Sequence, residues 1–502
     1  MGAEVWRILS RLVLTPIIIS KVGLAGYGTW AVLFSITAQF GVVKASFGAA
    51  YVKLTAEYDS KGDYKTLTSI ISSGMVLVLG FSVVALGVLW AFRLPLLRAL
   101  NVPDESLQEA AAALMIVATV VLLQLSAGAV NRALEGLQRL DLVYMLNILG
   151  SVIDFGVTLV LLTKGYGILG LAIGFAAGQV TALVLARYFC HRIEPRLGIT
   201  PFHPTREGFS KIARLGGKFQ LLGIMGLILN EGSKLLVSVL LGVSLLGVYE
   251  IAHKLIRLGS TVGHAVVGPL MPAFANLHAQ ESYAERTRRF YMQVSRVLAG
   301  ATGLCFAFLA IFANDVIILW TGGSYPLAAW TLRVFAPGMF LQTLTGVGTS
   351  SLRARGKIRL EFGTALLSAV FTFGSAYPMY RLFGYHGLVL AFVSGSLIGP
   401  PWFLTWYNKL AAIDGGAYLR KVVLRPLLAL LPPALLCWTF SQNVTLPTTH
   451  LNPRMQALVE LLVWGGLFAL IAMVAAWFIV LEPGEREAMS ARWRRLTPRR
   501  GR

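Results

Sequence analysis

The sequence predicts an all-α polytopic membrane protein. About fourteen transmembrane helices are expected, as two six-helix repeats forming N- and C-lobes around a central cavity, plus two appended helices. Three observations predict this. Of 502 residues, 56% are hydrophobic and 13% charged, about half the charged share of a soluble protein. Runs of about 20 apolar residues, the length that crosses a bilayer, recur from end to end. Basic residues crowd into alternate loops, and short motifs recur some 220 positions apart.

The spans are read at about 3–20, 26–50, 67–91, 109–131, 142–163, 167–187, 218–241, 247–275, 296–320, 327–350, 361–381, 387–407, 425–441 and 456–480. The loops between them are short, so neighbouring helices run antiparallel. The first span begins almost at Met1 and is followed by no small-residue cleavage site, so no cleavable signal is expected. With the N-terminus in the cytoplasm, the loops at 51–66, 131–141, 187–218, 276–296, 352–361 and 408–425 and the tail 481–502 carry 31 Lys and Arg, and the opposite loops carry 6. That asymmetry orients a membrane protein. It also accounts for most of the net charge of +21, which on a soluble chain would point to nucleic acid. The basic tail can also meet anionic headgroups of membrane lipids.

GLQRLD at Gly136 to Asp141 recurs as GKIRLE at Gly356 to Glu361. KGYGILG around Gly167 recurs as GYHGLVL around Gly387, and LAGYGTW from Leu24 as LLGVYEI from Leu245. The expected layout is an N-lobe at 1–200, a C-lobe at 201–424, appended helices at 425–481 and a basic cytoplasmic tail at 482–502. Six helices per repeat bring both repeats in from the same side, so they are parallel, an arrangement found in alternating-access transporters.

Several chemistries are excluded. GYGILG at Gly165 to Gly170 satisfies a dinucleotide-loop spacing, but it joins two membrane helices with no strand before it. No Gly-rich Lys-Ser/Thr phosphate loop occurs. Cys190, Cys305 and Cys437 lie in or beside apolar spans without paired spacing, so neither a disulfide framework nor a metal site is expected. The longest outer loop, about 92–108, holds only Asp104 and Glu105 as acids, too little for a glycosyltransferase or polymerase domain.

The informative residues are charges inside spans, which cost from about 3 kcal/mol upward at the bilayer centre unless they are paired or wet. Arg7, Arg11 and Thr15 share one face of the first span. Asn147, Ser151, Asp154 and Thr158 share one face of the fifth. Asn230, Lys234 and Ser238 share one face of the seventh, with Glu231 a turn from Lys234. Glu250, His253, Lys254, Arg257, Thr261 and His264 stripe the eighth, and Arg333 lies in the tenth. Lys44, near a span end, can snorkel, and Glu231–Lys234 or Glu250–Lys254 pairs can serve structure alone. Basic groups outnumber acidic ones, and a cationic cavity suits an anion, for which Arg offers a planar fork of donors.

LVLTPIIISKVGLAGYGTWAVLFSI, the NRALEGLQRLD loop and KLLVSVLLGVSLLGVYEIAHKLI resemble bacterial polysaccharide flippases of the Wzx type, in the multidrug/oligosaccharidyl-lipid/polysaccharide exporter superfamily. The resemblance implies a protein of the bacterial inner membrane, with both termini cytoplasmic, that is not an enzyme. It implies movement of an undecaprenyl-pyrophosphate-linked oligosaccharide from the cytoplasmic to the periplasmic leaflet, serving O-antigen or exopolysaccharide synthesis. The substrate would meet Arg7, Arg11, Asn230, Lys234, Lys254, Arg257 and Arg333, while Asp154, Glu231 and Glu250 would couple a proton or sodium ion. No cofactor and no nucleic-acid partner are expected; polysaccharide polymerase machinery is an expected partner. A cation-coupled multidrug-type exporter and a lipid II flippase are the alternatives within the superfamily.

Overall fold

In the computed structural model, every regular element among the described residues is helical. The structure describes residues 2–216, 220–278, 283–443 and 452–480, with 482, 484, 486 and 487. Ten helices among them are long and apolar enough to cross a membrane. The chain folds as two compact units, Met1–Glu250 and Ile251–Arg502.

The first unit opens with α1 (Gly2–Ala38), α2 (Gly41–Ser60), α3 (Tyr64–Ala99), α4 (Asp104–Ala127) and α5 (Ala129–Gly136). It continues with α6 (Leu140–Thr163), α7 (Gly167–Ile193), α8 (Arg206–Gly216), α9 (Gln220–Leu227), a π-helical turn at Ile228–Gly232 and α10 (Ser233–Leu241). The boundary to the second unit falls inside α11 (Val243–Val267).

The expected single span at 26–50 is corrected. Helix α1 breaks at Gly23 (φ 72°) and ends at Ala38. There Thr37 Oγ1 donates to the Leu33 carbonyl at 3.0 Å and Gln39 Nε2 to the Ser35 carbonyl at 3.2 Å. Gln39 thus satisfies the Ser35 carbonyl, one of those that a helix end leaves open, and the chain turns before α2.

Helices α6 and α7 meet through Gly170, Gly174 and Gly178, one face at four-residue spacing. A Cβ at Gly174 would overlap Thr158, and one at Gly178 would overlap the Gly150 carbonyl and stand 2.8 Å from Asp154 Cβ. Small residues let membrane helices approach to backbone contact. A separate core of Tyr51, Leu67, Ile70, Ala133 and Leu146 also buries Leu197 and Ile199 of the linker after α7. That linker is stitched to α3: the Gly198 amide donates to Thr68 Oγ1 at 3.2 Å and the Thr205 amide to Ser73 Oγ at 2.8 Å.

Glu194 starts this linker, and its hydrogen bonds from Arg196 hold its carboxyl below the ordinary value of 4.5. A carboxyl held low lends stability that is complete above its ordinary pKa and is lost as pH falls through the lowered value. Proteolytic nicking of the 194–205 segment is therefore expected to be flat at neutral pH and to accelerate as pH falls below the ordinary carboxyl value of 4.5. Equal cleavage rates across that range would remove Glu194 from the linker's docking.

The second unit holds α12 (Leu270–His278), α13 (Tyr283–Ile311), α14 (Ala313–Thr321), α15 (Pro326–Ala354) and α16 (Arg359–Leu410). Next come α17 (Gly415–Tyr418), a π-helical turn at Leu419–Leu424, and α18 (Arg425–Asn443). The last elements are α19 (Pro453–Glu460), a π-helical turn at Leu461–Gly465, α20 (Gly466–Ala475) and a further π-helical turn at Ala476–Val480. The 52 residues of α16 are two helices joined at Gly384, whose φ of 55° and ψ of −130° suit only glycine. This break separates the spans expected at 361–381 and 387–407.

The glycine device of α6 and α7 recurs inside α16. A Cβ at Gly395 would overlap Thr372 Oγ1, and one at Gly399 would overlap Ser368 Oγ. Phe312, Leu430, Cys437 and Phe468 pack α18 and α20 against the end of α13. Buried Arg296 pairs with Glu482 just beyond the last helix. Large apolar side chains such as Val84, Trp90, Phe92, Leu428, Leu435, Leu470 and Phe478 are exposed, as expected of surfaces solvated by lipid. Residues 488–502 of the basic tail lie outside the described residues.

Candidate functional site

The seventh predicted span is not one α-helix. Its polar stretch, Ile228 to Gly232, is wound as a π-helical turn between α9 and α10. Such turns are uncommon and frequent at functional sites. Asn230 Nδ2 donates to the Gly226 carbonyl at 2.7 Å, and Ser233 Oγ donates to the Leu229 carbonyl at 2.7 Å. Side chains thus take up backbone acceptors where the α-helical ladder is interrupted.

Around this turn a charged trio is assembled from α10, α11 and the π-turn. Lys234 Nζ lies 3.2 Å from Glu231 Oε2 and 3.3 Å from Glu250 Oε2. Ser35 of α1 donates its hydroxyl to Glu231 Oε2 at 2.9 Å. The three charged side chains are 8%, 13% and 10% exposed. Ions so far from water persist only when paired and hydrogen-bonded. Within these three groups one ammonium faces two carboxylates.

The other predicted residues are placed as follows. Asp154 Oδ1 accepts from Thr158 Oγ1 at 3.2 Å on α6, half-buried beside Gly178. Asn230 is exposed. In the second unit Lys254 is half-buried, while Arg257 and Arg333 are exposed. Arg333 Nε donates to the Ala310 carbonyl at 3.1 Å. The side chains of Arg7, Arg11 and Lys44 lie outside the described residues. The sequence pairs Glu231 with Lys234, as the structure does, and the structure also brings Lys234 to Glu250. The sequence reading missed Ser35, whose only signal was a hydroxyl inside the apolar run LFSIT. Among the described residues no group of His, Cys, Asp and Glu is suited to a metal ion.

A family described as polysaccharide biosynthesis protein matches residues 22–326, which take in the trio, Lys254 and Arg257. The chain belongs to that family. The fold is that of multidrug and lipid exporters. The lipid II flippase MurJ in an inward closed conformation superposes with a TM-score of 0.73 at 14% identity, over 94% of this chain and 98% of MurJ. An inward-facing multidrug resistance MATE family transporter of the MOP superfamily gives 0.68 at 17% identity, over 81% of this chain and 94% of that one. A Vibrio cholerae MATE transporter gives 0.59 at 13% identity, over 83% and 96%. Comparison with curated proteins yields no match.

Proposed function

We propose that this polysaccharide biosynthesis family member is a flippase. It moves an undecaprenyl-pyrophosphate-linked oligosaccharide from the cytoplasmic to the periplasmic leaflet of a bacterial inner membrane, by alternating access of two six-helix lobes, with both termini cytoplasmic. The observation that carries the reading is the family membership over 22–326 together with a fold shared end to end with a lipid flippase. In this reading Arg7, Arg11, Asn230, Lys254, Arg257 and Arg333 receive the pyrophosphate, and Lys234 joins them as the trio rearranges. Glu231, Glu250 and Asp154 exchange a proton or sodium ion. Exposure of Arg257 and Arg333 supports this, because a phosphate must be able to reach them. Membrane lipids bathe the exposed apolar faces, and polysaccharide polymerase machinery is the consumer of the delivered unit.

The test is leaflet-to-leaflet movement of a prenyl-pyrophosphate oligosaccharide in reconstituted vesicles. Wild type is expected to move it, and Arg257→Ala to slow it by about tenfold or more, the weight of one charge-assisted phosphate contact. Full-rate movement in Arg257→Ala would take Arg257 off the path. No movement by wild type would favour the second reading, a cation-coupled multidrug-type exporter, whose fold the chain also shares.

A further inference from the structure

Helix α3 carries Thr68, Ser69, Ser72 and Ser73 on one side of a segment long and apolar enough to cross a membrane. Their hydroxyls receive the linker after α7. Besides the Gly198 and Thr205 amides on Thr68 and Ser73, Ser72 Oγ donates to the Thr200 carbonyl, and Ser73 Oγ to the Thr205 carbonyl at 3.1 Å. Gly208 of α8 continues the seam: a Cβ there would stand 2.5 Å from Ser73 Oγ and 3.0 Å from the Ser69 carbonyl oxygen. Irregular backbone is tolerated at membrane depth only where its polar groups are taken up, and the hydroxyls of α3 do this.

Between the fastened residues Thr200 and Thr205 the chain turns through Pro201, Phe202, His203 and Pro204. Two prolines of fixed φ and an anchor at each end make this a stiff turn. At its tip Phe202 is 79% exposed, the most of any large apolar side chain among the described residues. The face of α3 on which Ser72 lies continues upward at helical spacing through Leu79, Val83 and Trp90, all exposed and apolar. Leu79 is only about 10 Å above Ser72. Phe202 therefore stands at the lower edge of a lipid-solvated face, on the side of the basic loops. Its surroundings are basic. Arg187 of α7 is exposed and donates to the Ile199 carbonyl, and His203 and Arg206 are exposed. The neighbouring acids have partners of their own, Glu194 in Arg196 and Glu207 in Lys211.

We propose that the Pro201–Pro204 turn and its flanking arginines form a binding site for an anionic phospholipid of the leaflet on the basic-loop side. Phe202 enters the boundary between headgroups and acyl chains, where aromatic rings are favoured. Arg206 and Arg187 meet the headgroup phosphate, as basic residues do at an anionic membrane surface. The stiffness of the turn keeps the ordering cost of binding low. The occupant is a lipid and not a soluble protein for two reasons. The apolar tip is continuous with the lipid-solvated face of α3, and one exposed ring is far smaller than the patch a stable protein interface requires. The site fixes the linker between α7 and α8 to the membrane surface, and it uses neither the trio nor the proposed cargo.

The test uses the full chain in nanodiscs of phosphatidylglycerol and phosphatidylcholine in equal amounts, with Phe202→p-benzoylphenylalanine as a photo-crosslinker. The replaced side chain is exposed, so the substitution leaves the packing alone. The same crosslinker at Val84, on the lipid-solvated face of α3, is the positive control, and at Ser60, exposed at the end of α2, the negative one. Mass spectrometry after illumination is expected to show phospholipid adducts at 202 and 84 and none at 60. Adducts at 202 are expected to favour phosphatidylglycerol, and Arg206→Gln to lower that preference about fivefold, the weight of one basic residue at an anionic surface. Arg206 is exposed, so a wild-type melting midpoint is expected in that variant. Absence of adducts at 202 where 84 gives them would put the turn in water and overturn the site. Equal yields of the two lipids at 202, or a preference unmoved by Arg206→Gln, would overturn the headgroup assignment and with it the anionic-lipid site.

Discussion

Lys234→Met is expected to destabilise the folded chain by about 3–5 kcal/mol, the usual result of removing one partner from a buried ion pair. The reason is charge arithmetic. Glu231 and Glu250 both lie within 3.3 Å of the Lys234 ammonium, and methionine keeps the volume while leaving two carboxylates to repel each other away from water. Removing one acid is expected to be far milder. Glu231→Gln or Glu250→Gln leaves a one-to-one pair, and a glutamine at 231 still accepts the Ser35 hydroxyl. Each is expected to cost under about 1 kcal/mol. The triple change Lys234→Met, Glu231→Gln and Glu250→Gln is expected to recover most of the loss, because neutral groups carry no ion-desolvation penalty. Thermal midpoints of the purified full chain in one detergent order the variants. If Lys234→Met melts with wild type, the Lys234 ammonium is not what compensates these two acids. If Glu→Gln melts as low as Lys234→Met, the net-charge argument is wrong.

The membrane class and the break between 361–381 and 387–407 were legible in the sequence, because hydrocarbon solvation acts on every residue of a span. The turn at Gln39–Phe40 was not legible. It falls within an apolar run, and the Gln39 bond to the Ser35 carbonyl that accompanies it leaves no hydropathy signal. Glu231 and Lys234 stood out because charges in a span are rare. Glu250 as the second acid on Lys234 could not be read, since spacing along one helix says nothing about which neighbouring helix is reached. Ser35 is a polar residue of an ordinary kind, and only folding gives it the Glu231 carboxylate as partner. The motif from Leu24 and Leu245 was visible as a repeat, but its glycines gain meaning only where backbones touch.

Gly178→Val and Gly156→Ala test that last point on one helix pair and are expected to move in opposite directions. A Cβ at Gly178 would meet the Gly150 carbonyl, Asp154 Cβ at 2.8 Å and the Asp154 amide nitrogen at 3.0 Å. These are mostly backbone atoms, so no rotamer change relieves the clash, and α6 must separate from α7 along the contact that also includes Gly174 on Thr158. Overpacking of this kind costs about 1–3 kcal/mol or more. A Cβ at Gly156, on α6 between Asp154 and Thr158, would meet nothing within 4 Å. Alanine there removes the backbone freedom of a mid-helix glycine and is expected to be neutral or to stabilise by up to about 1 kcal/mol. Melting midpoints of the two variants against wild type decide the matter. Equal midpoints would mean that α6 and α7 are not in backbone contact in the membrane. A drop confined to Gly178→Val has a functional corollary: the displaced atoms include Asp154, so Gly178→Ala, the milder change, is expected to alter the pH dependence of transport if that carboxylate takes part in coupling. A Gly178→Ala variant with lowered stability and an unchanged pH profile would leave Asp154 as a packing residue of α6, outside the coupling path.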